Sequence, residues 1–217
     1  MSDAFYWTLR TLSRPAFSTS GRPTILGCEN VPRSGPVLLA ANHVSWYDIP
    51  LLVEHCPRPM DFLAITELYQ RPLLRWFYRN MNGIRYDRSN PDAHAVREVL
   101  GRLARGRLVA IFPEGKLCKY EDSLFTDHPL RPGMSRLAIA AQAPVLPVVV
   151  LDTDVYRQFL AWLPLRRARY GILFGPPLPP PNIVHRAGRA AAIQQFETEY
   201  RTRMRELREE LLRAMSS

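Results

Sequence analysis

The run Val37-Leu38-Leu39-Ala40-Ala41 is apolar at every position and is followed by the polar pair Asn42-His43. Five residues are too few for a buried helix, and no polar residue alternates with the apolar ones. The run therefore reads as a strand covered on both faces, the kind found in parallel sheets. Leu108-Val109-Ala110-Ile111-Phe112 and Val145 to Leu151 repeat the pattern. Shorter strands are predicted at 61–65, 84–86 and 169–174, and helices near 48–55 and 67–80. Another helix is predicted from Asn90, a capping residue, through Pro91 and Asp92 in its first turn to about Gly106. One more runs from Pro132-Gly133 to about Gln142, and a long charged helix from beyond His185 to about Arg213. Strands alternating with helices predict an α/β fold: a single domain with a mostly parallel central sheet flanked by helices on both faces.

In such sheets the chemistry sits beyond the carboxyl ends of the strands. The first strand delivers His43 there, with Asp48 five residues on; the second ends in Pro113-Glu114-Gly115-Lys116. A neutral imidazole accepts a proton near neutral pH and needs an orienting acceptor on its other nitrogen. Asp48 can fold back to supply it, or it can merely cap a helix while His43 fills the core. Gly83 to Arg88 places Arg88 just past a short strand, where a guanidinium can grip a phosphate through two parallel hydrogen bonds or pair with Asp87. Cys118 can be a nucleophile or a wall residue.

The ordered set of segments resembles the glycerolipid acyltransferase family, which includes 1-acylglycerol-3-phosphate acyltransferases. Asn42, His43, Ser45 and Asp48 match an N-H-x-S-x-x-D block, Gly83 to Arg88 a second block and Phe112 to Gly115 the F-P-E-G block. Leu146-Pro147-Val148 matches a Pro within an apolar strand, and the likeness runs from about Ile25 to Leu178. The resemblance implies a glycerolipid-acyltransferase-like fold and transfer of an acyl chain from acyl-CoA or acyl carrier protein to a lysophospholipid hydroxyl. The first acceptor it implies is 1-acylglycerol-3-phosphate. It implies His43 as general base, Asp48 as its orienting acid, and Arg88, Glu114, Gly115 and Lys116 on the acceptor side. Asn42, Ser45, Gly83, Pro113 and Pro147 take supporting places. No metal and no cofactor beyond the thioester are required, and His55, His94, His128 and His185 stand singly. Two departures bear on the acceptor. Lys116-Leu117 stand where the family often has Thr-Arg, and Thr66 stands where it often has Lys before Glu67-Leu68. A lyso-aminolipid or glycolipid acceptor is the alternative.

Composition fits this reading. The formal net charge is +9, and Lys116 and Lys119 are the only lysines. The excess lies mid-chain, where Arg alternates with bulky apolar residues, as in Leu73-Leu74-Arg75-Trp76-Phe77-Tyr78-Arg79. That is the composition of an element resting at the lipid headgroup level. A nucleic-acid-binding protein would use the same charge, but no motif of that class is present. Three cysteines, Cys28, Cys56 and Cys118, form no C-x-x-C pair, which fits a reducing compartment. Met1 to Tyr6 lacks the layout of a secretory signal. The expectation is peripheral attachment at the cytoplasmic face of a membrane. Residues 1–24 are expected to be an interfacial helix or arm, or else a helix packed on the core. Residues 25–182 are expected to form the catalytic domain, and 183–217 the charged C-terminal helix.

Overall fold

The computed structural model describes residues 3–87, 93–118, 124–126, 130, 133–162, 168–181, 183 and 188–216. Seven strands form one sheet: β1 (Gly21–Leu26), β2 (Val37–Ala41), β3 (Met60–Ile65), β4 (Gly83–Tyr86), β5 (Leu108–Ile111), β6 (Val145–Leu151) and β7 (Ala168–Phe174). Their order is β1-β7-β6-β2-β5-β3-β4. All pairings are parallel except β6 with β7. The apolar strands β2 and β6 are buried at every residue because helices cover both faces.

On one face lie α1 (Ala4–Ser20), α2 (Asp48–His55) and α3 (Pro72–Asn80), packed on alternate strand residues such as Leu39, Ala41, Phe62 and Val148. On the other lie α4 (Ala93–Ala104), α5 (Gly133–Ala141) and α6 (Arg189–Ser216), packed on Leu38, Ala40, Val109 and Val149. Strand residues alternate between the two cores as the period of a strand requires. In α6, Phe196, Tyr200, Met204, Leu207 and Leu211 recur every three to four residues and form its buried stripe.

The structure departs from the sequence reading in two places. The helix expected over 67–80 is broken: a 3-10 turn covers Thr66–Tyr69 and α3 begins at Pro72, after Arg71 in an extended conformation. A residue before proline avoids the helical region, and proline fits the first helical position. β1 carries Pro23 and exposed Arg22 and lies largely within the expected N-terminal helix or arm of residues 1–24, but it is an edge strand paired only with β7, where proline is tolerated. β1 runs across position 24/25, and α6 packs on the sheet's second face. The N-terminal helix itself packs on the domain through Tyr6 and Phe17, while Trp7 and Leu12 remain exposed. The start of the helix expected at Asn90-Pro91-Asp92, and Pro132, lie outside the described residues.

Pro147 sits inside the central strand β6. Its carbonyl faces β7 and accepts the Gly175 N–H (2.8 Å), just beyond the last β6–β7 pair, Val148 with Phe174. The missing N–H thus forgoes only the reciprocal bond of the Pro147–Gly175 pair, at the very end of the β6–β7 ladder, and pairing with β2 is intact.

Candidate active site

β2 ends at Ala41, and Asn42 extends its hold on β6 through its side chain. Asn42 Nδ2 donates to the Val150 carbonyl and the Val150 N–H donates to Asn42 Oδ1, both at 2.8 Å. This clasp fixes the position at which the chain leaves the sheet as His43. The next residues turn back, and α2 opens with Asp48.

Asp48 is fully buried, and four donors converge on its carboxylate. Oδ2 accepts from His43 Nδ1 (2.7 Å) and from the backbone N–H groups of Val44 (2.9 Å) and Ser45 (3.0 Å). Oδ1 accepts from the Thr153 hydroxyl. Ser45 adds its hydroxyl as acceptor for the Tyr47 N–H, closing the turn. With Nδ1 given to Asp48, Nε2 is the ring nitrogen left for a substrate. The imidazole stacks on Phe112, with centroids 3.8 Å apart and planes 15° from parallel.

The segment after β5 holds the His43 backbone from both sides. Glu114 Oε2 accepts the His43 N–H (2.7 Å) and Oε1 accepts the Leu124 N–H (2.9 Å). The Cys118 N–H donates to the His43 carbonyl (2.8 Å). Burial pushes the Glu114 carboxyl up to about 7, against the opposing pull of its two amide donors. Pro113 is buried in this turn, and Gly115 closes it by donating its N–H to the Phe112 carbonyl (2.9 Å) at φ +68°. A side chain is disfavoured at that φ, which accounts for glycine there. Lys116 is exposed beyond it.

His43, Trp46, Phe112 and Gly115 border a cavity of about 420 Å³ that runs under the first helical face. Its wall is apolar: Phe17 from α1, Ile49 and Val53 from α2, Phe62 and Ala64 from β3, Phe77 from α3. The structure thus gathers Asn42, His43, Ser45, Asp48, Pro113, Glu114 and Gly115 at the adjacent ends of β2 and β5. Gly83 lies elsewhere, at the start of the edge strand β4, where a Cβ would meet the Tyr69 hydroxyl at 2.7 Å and the Tyr78 carbonyl at 2.8 Å. Arg88 lies outside the described residues. Among the described residues no group of three or more His, Cys, Asp and Glu side chains could hold a metal ion.

Thr153 is the residue that no sequence signal marked. It follows β6 directly after Asp152, whose left-handed φ of +59° turns the chain toward Asp48. Asp tolerates that conformation better than most residues. The only available clue was the adjacency of the β2 and β6 ends, which a single sequence does not display.

A family model described as Acyltransferase matches residues 22–151, which include every element of this site except Thr153. The chain belongs to the acyltransferase family. Within that family it is 36% identical over 116 residues to the lyso-ornithine lipid O-acyltransferase of Pseudomonas aeruginosa, covering 53% of this chain and 43% of that protein. It is 34% identical over 120 residues to the 1-acyl-sn-glycerol-3-phosphate acyltransferase of Neisseria meningitidis, covering 54% of this chain and 45% of that one. This acyltransferase spans about half the length of the curated relatives it matches. The crystal structure of the 1-acyl-sn-glycerophosphate acyltransferase PlsC from Thermotoga maritima aligns with a TM-score of 0.71 at 22% identity, covering 94% of this chain and 78% of that one. The two share a fold.

Proposed function

We propose that this acyltransferase transfers an acyl chain from a thioester, acyl-CoA or acyl carrier protein, to a lysolipid hydroxyl. The observation that carries the reading is the His43–Asp48 pair at 2.7 Å, opening on an apolar cavity of a size suited to a fatty acyl chain. The acceptor hydroxyl gives its proton to His43 Nε2, and its oxygen bonds to the thioester carbonyl carbon. The C–S bond then breaks, and the imidazolium returns the proton to the leaving thiolate. Asp48 holds the tautomer and stabilises the imidazolium. The carbonyl oxygen becomes an oxyanion and needs N–H donors in place beforehand. The Gly115 N–H is engaged with Phe112, so the Glu114, Lys116 and Leu117 amides are the donors of that segment with no hydrogen bond among the described residues.

1-Acylglycerol-3-phosphate is the first acceptor, with the exposed Lys116 as a cation for its phosphate and Arg88 assigned to it by the family resemblance alone. A second reading, a lyso-ornithine lipid, is favoured by Thr66 and Leu117, which stand where family members often carry cations, and by the identity to the Pseudomonas protein. Purified protein with one acyl-CoA and a panel of lysolipids, read by mass spectrometry, tests both. Acylation of lysophosphatidate alone supports the first and of lyso-ornithine lipid alone the second; acylation of neither overturns the reaction proposed.

Attachment to a membrane surface is part of the same proposal. Trp7 and Leu12 on α1, Trp46 beside His43, and Leu73 and Trp76 on α3 are exposed, and all lie on the helical face that holds the cavity. An apolar set of this kind around a lipid-sized opening suits shallow insertion between headgroups. No helix among the described residues is long and apolar enough to cross a membrane.

Glu114 gives the activity an acidic limb. Below about 7 its carboxyl takes a proton, one oxygen becomes a donor, and either the His43 or the Leu124 amide loses its acceptor. Turnover is expected to fall as pH drops through about 7. Glu114→Gln fixes the protein in that state. It should lower kcat about tenfold at alkaline pH, the factor expected for one weakened hydrogen bond to a charged group, and remove the limb near 7. Stability moves oppositely. The folded-state pKa is raised from 4.5, so this group's contribution is present at low pH and is lost as pH rises through about 7. A Gln variant with wild-type kcat and an unchanged pH profile would remove Glu114 from its positioning role.

A further inference from the structure

On the far side of α3 from the acyl cavity lies a second cleft, about 530 Å³, running along the open edge of β4 between α3 and α4. Arg75 and Arg79 reach it from α3, Arg85 from β4, and Arg102 from α4. Glu98 is the acid among its described lining residues, and it is tied to Arg102 at 2.8 Å. The guanidinium groups of Arg79 and Arg85 make no hydrogen bond or ion pair with any described residue. Tyr69, a residue only 7% exposed, also borders the cleft, and its hydroxyl, buried beside Gly83, has no hydrogen-bond partner among the described residues. Burial pushes that phenol up to about 12 while Arg102, Arg79 and Arg85 act on it in the opposite sense, so it stays a proton donor surrounded by guanidiniums.

A cleft with uncompensated Arg side chains and a spare buried donor is built for a phosphate: guanidinium forks match its oxygens, and the phenol supplies a neutral donor. Charged residues also guard edge strands against pairing. That duty accounts for Arg85 but not for Arg79 or the Tyr69 hydroxyl, which belong to other elements. The source of the phosphate follows from α3 itself. Leu73 and Trp76 are 75% and 54% exposed on the same helix, so a bilayer that takes them up sets Arg75 and Arg79 at headgroup depth.

We propose that this cleft binds the phosphate of an anionic phospholipid at the membrane surface, with Arg79 and Arg85 as its cations and the Tyr69 hydroxyl as its donor. The inference rests on the membrane attachment proposed above and is independent of the catalytic roles of His43 and Asp48.

Co-sedimentation of the full chain with phosphatidylcholine vesicles, with and without phosphatidylglycerol, tests it. Arg79→Ala/Arg85→Ala is expected to lower the partition coefficient on anionic vesicles about 30-fold at low salt, roughly fivefold per basic side chain near the surface. Binding to neutral vesicles should change less than about twofold. Arg189→Ala/Arg203→Ala removes the same charge from α6, on the opposite sheet face, and should leave anionic binding within about twofold. Leu73→Ala/Trp76→Ala should weaken both vesicle types, which reports on attachment separately from the cleft. Circular dichroism confirms that each variant folds. The proposal is overturned if the wild type shows no preference for anionic vesicles, or if the α3–β4 pair and the α6 pair behave alike. It is also overturned if inorganic phosphate at constant ionic strength protects the protein from thermal unfolding through Arg79 and Arg85 while vesicle binding ignores them. That result would assign the cleft to a soluble phosphate.

Discussion

His43→Ala is expected to reduce kcat about 10³-fold while the protein remains folded, since a positioned general base contributes on the order of 10²- to 10⁴-fold. The separation of catalysis from folding follows from the hydrogen bonds around Asp48. Removing the imidazole takes one of four donors from that carboxylate and leaves the Val44 and Ser45 amides and the Thr153 hydroxyl in place. No buried charge is orphaned. The stability lost is one hydrogen bond and the stacking on Phe112, about 1–2 kcal/mol. Asp48→Asn is a poorer probe. Donors approach both carboxylate oxygens, so an amide NH2 must oppose one set whichever way it turns, and folding and turnover fall together. Turnover by folded His43→Ala within tenfold of the wild type, measured with the thioester and lysolipid pair that supports the native reaction, would remove His43 from the role of base.

The parts of this site that could be read in the sequence are those whose partners are close in the chain. His43 and Asp48 are five residues apart, and one turn after a strand suffices to join them. β2, β5 and β6 were legible because a strand buried on both faces is apolar without interruption. β1 was not, because an edge strand of the sequence Gly-Arg-Pro-Thr has the composition of a loop. Glu114 illustrates a harder limit. Its place in F-P-E-G suggested a group facing the acceptor, whereas its carboxylate turns inward to the His43 amide 71 positions away. Thr153 meets Asp48 across 105 positions. Nothing in the composition of either segment records such a contact; it exists only because the sheet sets β5 and β6 on either side of β2. Arg79, Arg85 and Tyr69 show the converse. The charge excess was plain, but its gathering on one edge strand depends on the break in the helix at Pro72, which turns α3 to flank β4.

Asp61→Ala is expected to destabilise the protein by about 3 kcal/mol, at the lower end of the 3–5 kcal/mol for removing one partner of a buried ion pair. For a chain of this length that lowers Tm by about 10 °C. Asp61 is fully buried in β3 and is shared by two guanidiniums: Arg102 Nη1 donates to it at 3.0 Å, and Arg107 Nε and Nη2 also reach it. Each Arg keeps a second acid, Glu98 at 2.8 Å for Arg102 and Asp3 at 2.7 Å for Arg107, which is why the lower figure applies. Asp61→Asn keeps the shape and some of the acceptors without the charge, and should fall between wild type and Ala. The network also reaches the site. Asp3 precedes α1, accepts from Arg107 and from Asn82 Nδ2 (2.8 Å), and so fastens the helix that supplies Leu9, Arg10 and Phe17 to the acyl cavity. Loosening the Arg107 end should therefore lower both Tm and the affinity for the acyl donor, with kcat at saturating donor changed less. A loss of stability below about 1 kcal/mol in Asp61→Ala would mean that solvent, rather than Asp61, compensates the two guanidiniums, and that α1 is held by its apolar face alone.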